Sequence, residues 1–272
     1  MRADFQTALR TKTNSVRVGP RHPTDTGMNA CAKLRRMTSP VAYEVRDQVA
    51  VIRMDDGKAN ALSPVMLEAL SAALTRASEE AKVVVLLGRP GRFSAGFDLK
   101  VMMSSPEAAS ALVRIGADLY LRLLLHPQPV VMGVTGHALA GGVLLAACGD
   151  VRIGVEGDFK LGLTEIGLGM PVPIFAHELA RSWIAPSRLL EATLLGNTYA
   201  PEAAREIGWL DRVVEAADHE VAVIAEANRL AAIAGGHYAL TKKTLRIEMV
   251  NLMRRTLEEN LAEFAAGVKK AG

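Results

Sequence analysis

Residues 129–150 constrain this chain more than any other stretch. Pro129-Val130-Val131-Met132-Gly133-Val134 has the apolar, β-branched character of a strand. Gly136-His137-Ala138-Leu139-Ala140-Gly141-Gly142 follows, and Val143 to Cys148 continues in apolar helix formers. Strand, glycine-rich turn, helix is a layout that aims free backbone N–H groups at a ligand. No lysine, arginine or acid accompanies those amides here. Bare amides suit an oxygen that becomes negative only during reaction, so the segment reads as an oxyanion hole rather than a phosphate cradle. Close packing of strand on helix explains the same glycines from residue type alone.

Other motif readings fail on specific residues. A P-loop needs Lys and then Ser or Thr after its second glycine, where this chain has Gly142 and Val143. No G-x-G-x-x-G dinucleotide fingerprint and no G-x-S-x-G elbow occurs; Ser94 sits in Gly91-Arg92-Phe93-Ser94-Ala95-Gly96 with the wrong spacing. His177-Glu178 opens like a zinc-binding helix, but Arg181 stands where the second histidine would fall, so no metal site is expected.

The chain is long and apolar enough for one sizeable core: 272 residues, 50% hydrophobic and 22% charged. Its net charge of +3 is unevenly spread, because residues 1–36 hold eight of the 32 Lys/Arg and two of the 29 acids, leaving a body near −3. With only 4% aromatic residues as well, the body is not expected to bind nucleic acid. The leader lacks apolar periodicity and is expected to be disordered. Its Arg- and Thr-rich, acid-poor composition resembles a transit peptide, but Met37 reads as a natural start with 1–36 as an upstream extension. Pro127 to Gly149 is almost long enough to span a bilayer, yet its prolines and glycines read as strand, turn and helix of a buried centre, so no membrane association is expected. Cys31 and Cys148 form neither a disulfide framework nor a metal set, and Cys148 reads as a core thiol. That usage fits a reducing compartment, and a cytoplasmic protein is expected.

Val41–Arg46 and Val49–Met54 read as a hairpin turning at Asp47-Gln48. Ser63-Pro64 and Ser105-Pro106-Glu107 start helices, the first carrying Met66, Leu67, Leu70 and Leu74 at helical spacing, the second reaching about Leu125. Val83–Leu87, Val130–Val134 and Val151–Val155 are strands covered on both faces. From Pro173 the pattern is mainly helical, broken at Gly196, Gly208 and Gly235-Gly236. The last helix, roughly 241–268, carries Leu245, Met249, Leu252, Leu257, Leu261 and Phe264, a stripe that suits its own core or a partner subunit equally.

Four segments occur in order across residues 41–214: Lys58-Ala59-Asn60-Ala61-Leu62; Phe93-Ser94-Ala95-Gly96-Phe97-Asp98-Leu99-Lys100; Gly136 to Asp150; and Tyr199 to Val214, with Pro201-Glu202-Ala203 and Gly208-Trp209-Leu210-Asp211 inside it. Together they resemble the crotonase superfamily of enoyl-CoA hydratases and isomerases. They are similar to its N-A-L turn, its F-x-A-G-x-D-[LI]-K loop, its second glycine motif and its A-x-E-A-x-x-x-G-L-V-D segment; the extreme C-terminus matches less well. The resemblance implies an α/β fold, a crotonase-like superhelix of ββα units with a C-terminal helical trimerisation region. The expected division is a disordered extension at 1–36, a core at 37–230 and a helical region at 231–272. It also implies an acyl-CoA thioester substrate, fatty-acid metabolism, no cofactor beyond the coenzyme A of the substrate, and a homotrimer or dimer of trimers.

By motif position, the resemblance assigns the two carbonyl-polarising N–H groups to Phe97 and Gly141, and lays Ala95–Lys100 along the pantetheine arm, with Lys58 and Ala59 also on the substrate. The Phe97 ring belongs beside the ligand or in the core. Lys100 pairs with a CoA phosphate or stays solvated, and Asp98 caps its loop. Hydratases of the family use two glutamates. Here one position is Leu144 and the other is Glu165, in Leu163-Thr164-Glu165-Ile166-Gly167-Leu168. Leucine cannot hold or activate a water, whereas one carboxylate can move a proton between two carbons, as in the Δ3,Δ2-enoyl-CoA isomerases of the superfamily. Glu165 is then the acid/base, raised in pKa by Leu144, Leu163 and Leu168. Taken alone, Glu165 reads first as an exposed or salt-bridged helix-start glutamate, and His137 as a packing or backbone-bonding residue. Three rivals stay open: a hydratase using an unaligned acid such as Asp118 or Glu178, another reaction through the same enolate, and a non-catalytic acyl-CoA-binding homologue. Pro171-Val172-Pro173 departs from a glycine-rich segment of many hydratases and is expected to reshape the acyl pocket.

Overall fold

The computed structural model describes residues 39–271, with side chains through Glu263. The expected extension at 1–36 and start at Met37 lie outside the described residues, as does the Phe264 side chain.

The chain winds as repeated strand pairs followed by helix. β1 (Val41–Arg46) and β2 (Val49–Met54) form an antiparallel hairpin, pairing Arg46 with Val49 around a left-handed Asp47. α1 (Pro64–Glu80) follows, its first turn closed by Ser63, whose hydroxyl accepts from the Met66 N–H at 3.2 Å. Next come β3 (Val83–Leu87), β4 (Gly91–Ser94), α2 (Leu99–Met102) and α3 (Pro106–Leu124), the last capped by Ser105. β5 (Val130–Val134), β6 (Gly136–Leu139), α4 (Gly141–Ala147), β7 (Val151–Val155) and β8 (Leu161–Gly162) complete the strand-rich part.

From the second pair onward, the two strands of each pair part company. β3, β5 and β7 join the hairpin in a six-stranded sheet ordered β1-β2-β3-β5-β7-β9, with β9 at Arg212–Val214, while β4, β6 and β8 form a separate three-stranded parallel sheet. The large sheet is apolar on both faces, as its continuous Val/Ile/Leu runs require. Val49, Val51, Val83, Val85 and Val131 pack under α8 (His219–Ala231). Ala50, Ile52, Val84, Leu86 and Met132 face the main core with α1 and α3.

The helical half contains α5 (Ile174–Trp183), α6 (Leu189–Thr193), α7 (Pro201–Ile207), α8 and α9 (Gly236–Ala271). One strand, β9 (Arg212–Val214), interrupts it and pairs with β7 at the sheet edge. α9 packs along α3 and α5 of its own chain. Its inward stripe is Lys242, Arg246, Val250, Met253, Leu257, Asn260 and Leu261 rather than the purely apolar one expected; Leu245 is 80% exposed. Both buried cations pair with Asp150, which receives Lys242 Nζ at 2.6 Å and Arg246 Nη1 at 2.9 Å. No described helix is long and apolar enough to cross a membrane; Pro127–Gly149 is resolved into β5, β6 and α4.

The glycine stretch corrects the simple strand–turn–helix layout. Gly136–Leu139 is itself a strand, and the turn shrinks to Ala140. Gly136 and Gly142 serve packing: a Cβ at either would fall 2.2 Å from backbone atoms of Gly91 or Ser94. Gly141 is left to present its amide, so packing and amide display are divided among neighbouring glycines.

Candidate active site

The three strands of the small sheet are parallel, so their carboxyl ends open on one edge, the usual place for a ligand beside parallel strands. Phe97 comes three residues after β4, Gly141 two after β6 and Glu165 three after β8. The short sheet thereby collects the three residues from segments far apart in sequence.

Phe97 bridges to Leu62, but the bonds of that bridge run from Leu62 N–H to Gly96 O (2.8 Å) and from Asp98 N–H to Leu62 O (3.4 Å). The Phe97 N–H takes no part, and among the described residues it has no acceptor. Gly141 opens α4, whose first bonds run from the amides of Val143 and Leu144 to Ala140 O. Its own N–H likewise has no acceptor among the described residues. Ala140 holds this geometry at φ 50°, ψ −128°, a region L residues rarely occupy. The two amides belong to loops in close contact. Gly96 has φ +89°, and a Cβ there would lie 2.9 Å from Leu139 O and 3.0 Å from Gly141 N. Behind Gly141, the buried Tyr120 hydroxyl donates to the Gly141 carbonyl at 2.7 Å. The Phe97 ring lies over Gly116 of α3, 6.3 Å from the Tyr120 ring.

Glu165 borders the same pocket as Phe97. Its Oε2 is buried without a hydrogen-bond partner among the described residues, which rules out the salt-bridged reading. Burial pushes its pKa from 4.5 up to about 7, with the amides of Glu165 and Thr164 acting weakly in the other direction. The pocket it borders takes in about 580 Å³, counted out to open solvent. Ala95, Phe97, Ala140 and Leu144 line it with Glu165. Leu99, Met102, Val113, Leu168, Met170, Pro171, Pro173 and Phe175 make up the rest of the lining. Leu144 is therefore in the pocket with Glu165, as a residue replacing a second carboxylate would be. Asp118 and Glu178, the acids considered for hydration, do not line it; Asp118 is exposed and Glu178 pairs with Arg181 at 3.4 Å.

The remaining sequence candidates lie outside the pocket wall; Gly141 follows the lining residue Ala140 without lining the pocket itself. Lys58 and Lys100 are exposed, and Ala59 accepts the Ala95 N–H at 3.0 Å, joining its loop to the Phe97 loop. Asp98 caps α2 by accepting the Lys100 N–H at 2.9 Å. The His137 Nδ1 accepts the Lys160 N–H at 3.0 Å, a backbone-bonding role. Cys148 is buried, its thiol pKa raised by that burial. Among the described residues, no group of three His, Cys, Asp or Glu side chains is placed to hold a metal ion.

Sequence reasoning missed Asn60, Tyr120 and Phe175. Asn60 is fully buried at φ 51°, and its Nδ2 lies within 3.2 Å of the carbonyls of Met54, Arg92 and Phe93. Ser94 Oγ donates to Asn60 O at 2.7 Å and accepts the Gly96 N–H at 3.2 Å, so Asn60 and Ser94 staple the loop that presents Phe97. The motif flagged Asn60 as a turn residue only. Tyr120 and Phe175 had no local signal, since each reaches the site from a helix that otherwise reads as core.

Strand pairs dealt into two sheets, two amides without acceptors among the described residues and one buried carboxyl beside an apolar pocket make up the candidate site. Residues 44–271 match the family model described as enoyl-CoA hydratase/isomerase, and the chain belongs to that family. It is 35% identical over 198 residues to a probable enoyl-CoA hydratase of Bacillus subtilis (strain 168), covering 71% of this chain and 74% of that one. Its structure is similar to two structures of one Mycobacterium tuberculosis protein, described in one as an enoyl-CoA isomerase (TM-score 0.80, 35% identity, coverage of 84% and 100%) and in the other as a probable enoyl-CoA hydratase (TM-score 0.79, 35% identity, coverage of 83% and 96%). It is also similar to human mitochondrial delta3-delta2-enoyl-CoA isomerase, with TM-score 0.82, 26% identity and coverage of 85% and 93%.

Proposed function

We propose that the protein isomerises 3-enoyl-CoA to 2-enoyl-CoA. The ionised Glu165 removes a proton from C2, and the electron pair delocalises onto the thioester oxygen. The N–H groups of Phe97 and Gly141 hold that oxygen while it is negative. The enolate collapses with protonation at C4 by the same carboxyl, so the double bond moves into conjugation and no atom is gained or lost. A carboxyl with a pKa of about 7 is matched to accepting and returning one proton near neutrality. The pantetheine arm runs along Ala95–Lys100 and the Lys58-Ala59 loop, with Lys100 available to a CoA phosphate. The reaction is redox-neutral and draws on no cofactor beyond the CoA of its substrate. Assembly as a homotrimer or dimer of trimers and a place in cytoplasmic fatty-acid breakdown belong to the same reading.

One observation carries it: the pocket holds Glu165 and, where a second glutamate would serve hydration, the apolar Leu144. The probable hydratase among the relatives supports the alternative of water addition. The deciding experiment incubates the protein separately with a 3-enoyl-CoA and a 2-enoyl-CoA. Rising conjugation absorbance without mass change, lost in Glu165→Gln, is expected. Gain of one water on the 2-enoyl substrate overturns the isomerase reading in favour of hydration.

A further inference from the structure

We infer that Phe175 sets the length of acyl chain the site accepts; this rests on the reading that the apolar pocket beside Glu165 receives the acyl group. Phe175 is the second residue of α5 and is 4% exposed. One side of it lines the Glu165 pocket. The other side lines a separate narrow crevice between α3, α5 and α9, bounded by Ala117, Tyr120, Leu121, Leu179, Met253 and Leu257. No other described residue is shared by the two spaces. The crevice is too narrow to admit a water molecule, so the Phe175 ring closes the pocket where the two spaces meet.

The ring is fixed rather than hinged. Pro173 precedes the helix with φ −74°, and Asn260 Oδ1 of α9 accepts the Ile174 N–H at 2.7 Å. The Tyr120 ring stands 6.1 Å away, and its hydroxyl is already committed to Gly141. The only polar atom among the crevice side chains is thereby satisfied. Removing the ring joins the two spaces into an apolar annex aimed at Met253 and Leu257, and apolar cavities of this kind stay dry and take apolar ligands.

The test titrates wild type, Phe175→Ala and Phe175→Trp calorimetrically with saturated acyl-CoAs of increasing chain length. These ligands carry no double bond to move, so the result is independent of which reaction the site performs. Wild-type affinity is expected to rise about fourfold per added methylene and then level off. Phe175→Ala is expected to extend the rise by about three carbons, the apolar surface of the lost ring, and Phe175→Trp to end it earlier. Phe175→Leu serves in place of Phe175→Ala if the latter fails to fold. An unchanged length profile, or equal weakening at every length, overturns the assignment and leaves a packing role only. Failure of wild type to isomerise, with the length profile shifting as expected, instead removes the reaction assigned above and keeps Phe175 as the ruler.

Discussion

Tyr120 and Gly141 are 21 residues apart, and the Tyr120 hydroxyl reaches the Gly141 carbonyl at 2.7 Å from inside the core. The bond fixes the helix start that carries the Gly141 amide, next to an Ala140 already held in a sparsely populated conformation. Tyr120 touches no reacting atom; it is a positioning residue. Tyr120→Phe keeps the ring against Phe97 and Phe175 and removes only the donor. Folding stability is expected to fall by about 1 kcal/mol. In steady-state kinetics kcat is expected to fall about tenfold with KM nearly unchanged, because a displaced amide weakens transition-state binding more than substrate binding. Equal changes in kcat and KM would contradict positioning.

Glu165 links activity and stability to pH with opposite signs. As the base it must be ionised, so kcat/KM is expected to rise as pH increases through about 7, the value to which burial pushes it. Because its pKa is raised on folding, the fold favours the protonated form. The stabilisation present below pH 4.5 is lost as pH rises through about 7. Glu165→Gln is therefore expected to be inactive and, relative to wild type, more stable at pH 8 than at pH 4. Parallel thermal melts of both proteins across this range check the sign.

Gly96 separates the two amide loops. Gly96→Ala places a methyl group 3.0 Å from the Gly141 nitrogen and 2.9 Å from Leu139 O, on a backbone at φ +89°. A stability loss of about 1–3 kcal/mol is expected from the backbone strain. A drop in kcat of about 100- to 1,000-fold is expected from displacing one oxyanion donor. Rates measured well below the melting temperature separate the two effects.

Asp150 ties α9 to the core by receiving Lys242, Arg246 and the Val130 N–H. Burial, the larger influence, lowers the Lys242 pKa to about 8 against the pull of Asp150. Asp150→Asn leaves two buried cations without their counter-ion and is expected to cost about 3–5 kcal/mol, read from denaturant unfolding. The double variant Asp150→Asn/Lys242→Met is expected to recover part of that loss.

Much of the fold was legible because it obeys local rules. The hairpin at Asp47-Gln48, the serine-capped starts of α1 and α3, and strands Val83–Leu87, Val130–Val134 and Val151–Val155 sit where periodicity and capping put them. The small sheet was not, because strands of four, four and two residues are too short to show alternation, and each contains glycine. β9 was hidden for the same reason in a segment expected to be helical. In α9, Lys242 and Arg246 face inward against their hydropathy because Asp150, 92 residues away from Lys242, awaits them. At the site, the Phe97 and Gly141 loops and Glu165 were visible as motifs. Tyr120, Phe175 and the Asn60 staple act through contacts that only the folded chain creates.

The division of each strand pair between two sheets separates two kinds of selection. The large sheet holds most of the apolar strand surface, while all three candidate chemical groups hang from the far edge of the small one. Substitutions in the first can drift with temperature and packing demands while the second keeps its register. Conversely, residues following three very short strands can be exchanged without rebuilding the core. A chain divided in this way can acquire a new reaction faster than it can acquire a new shape.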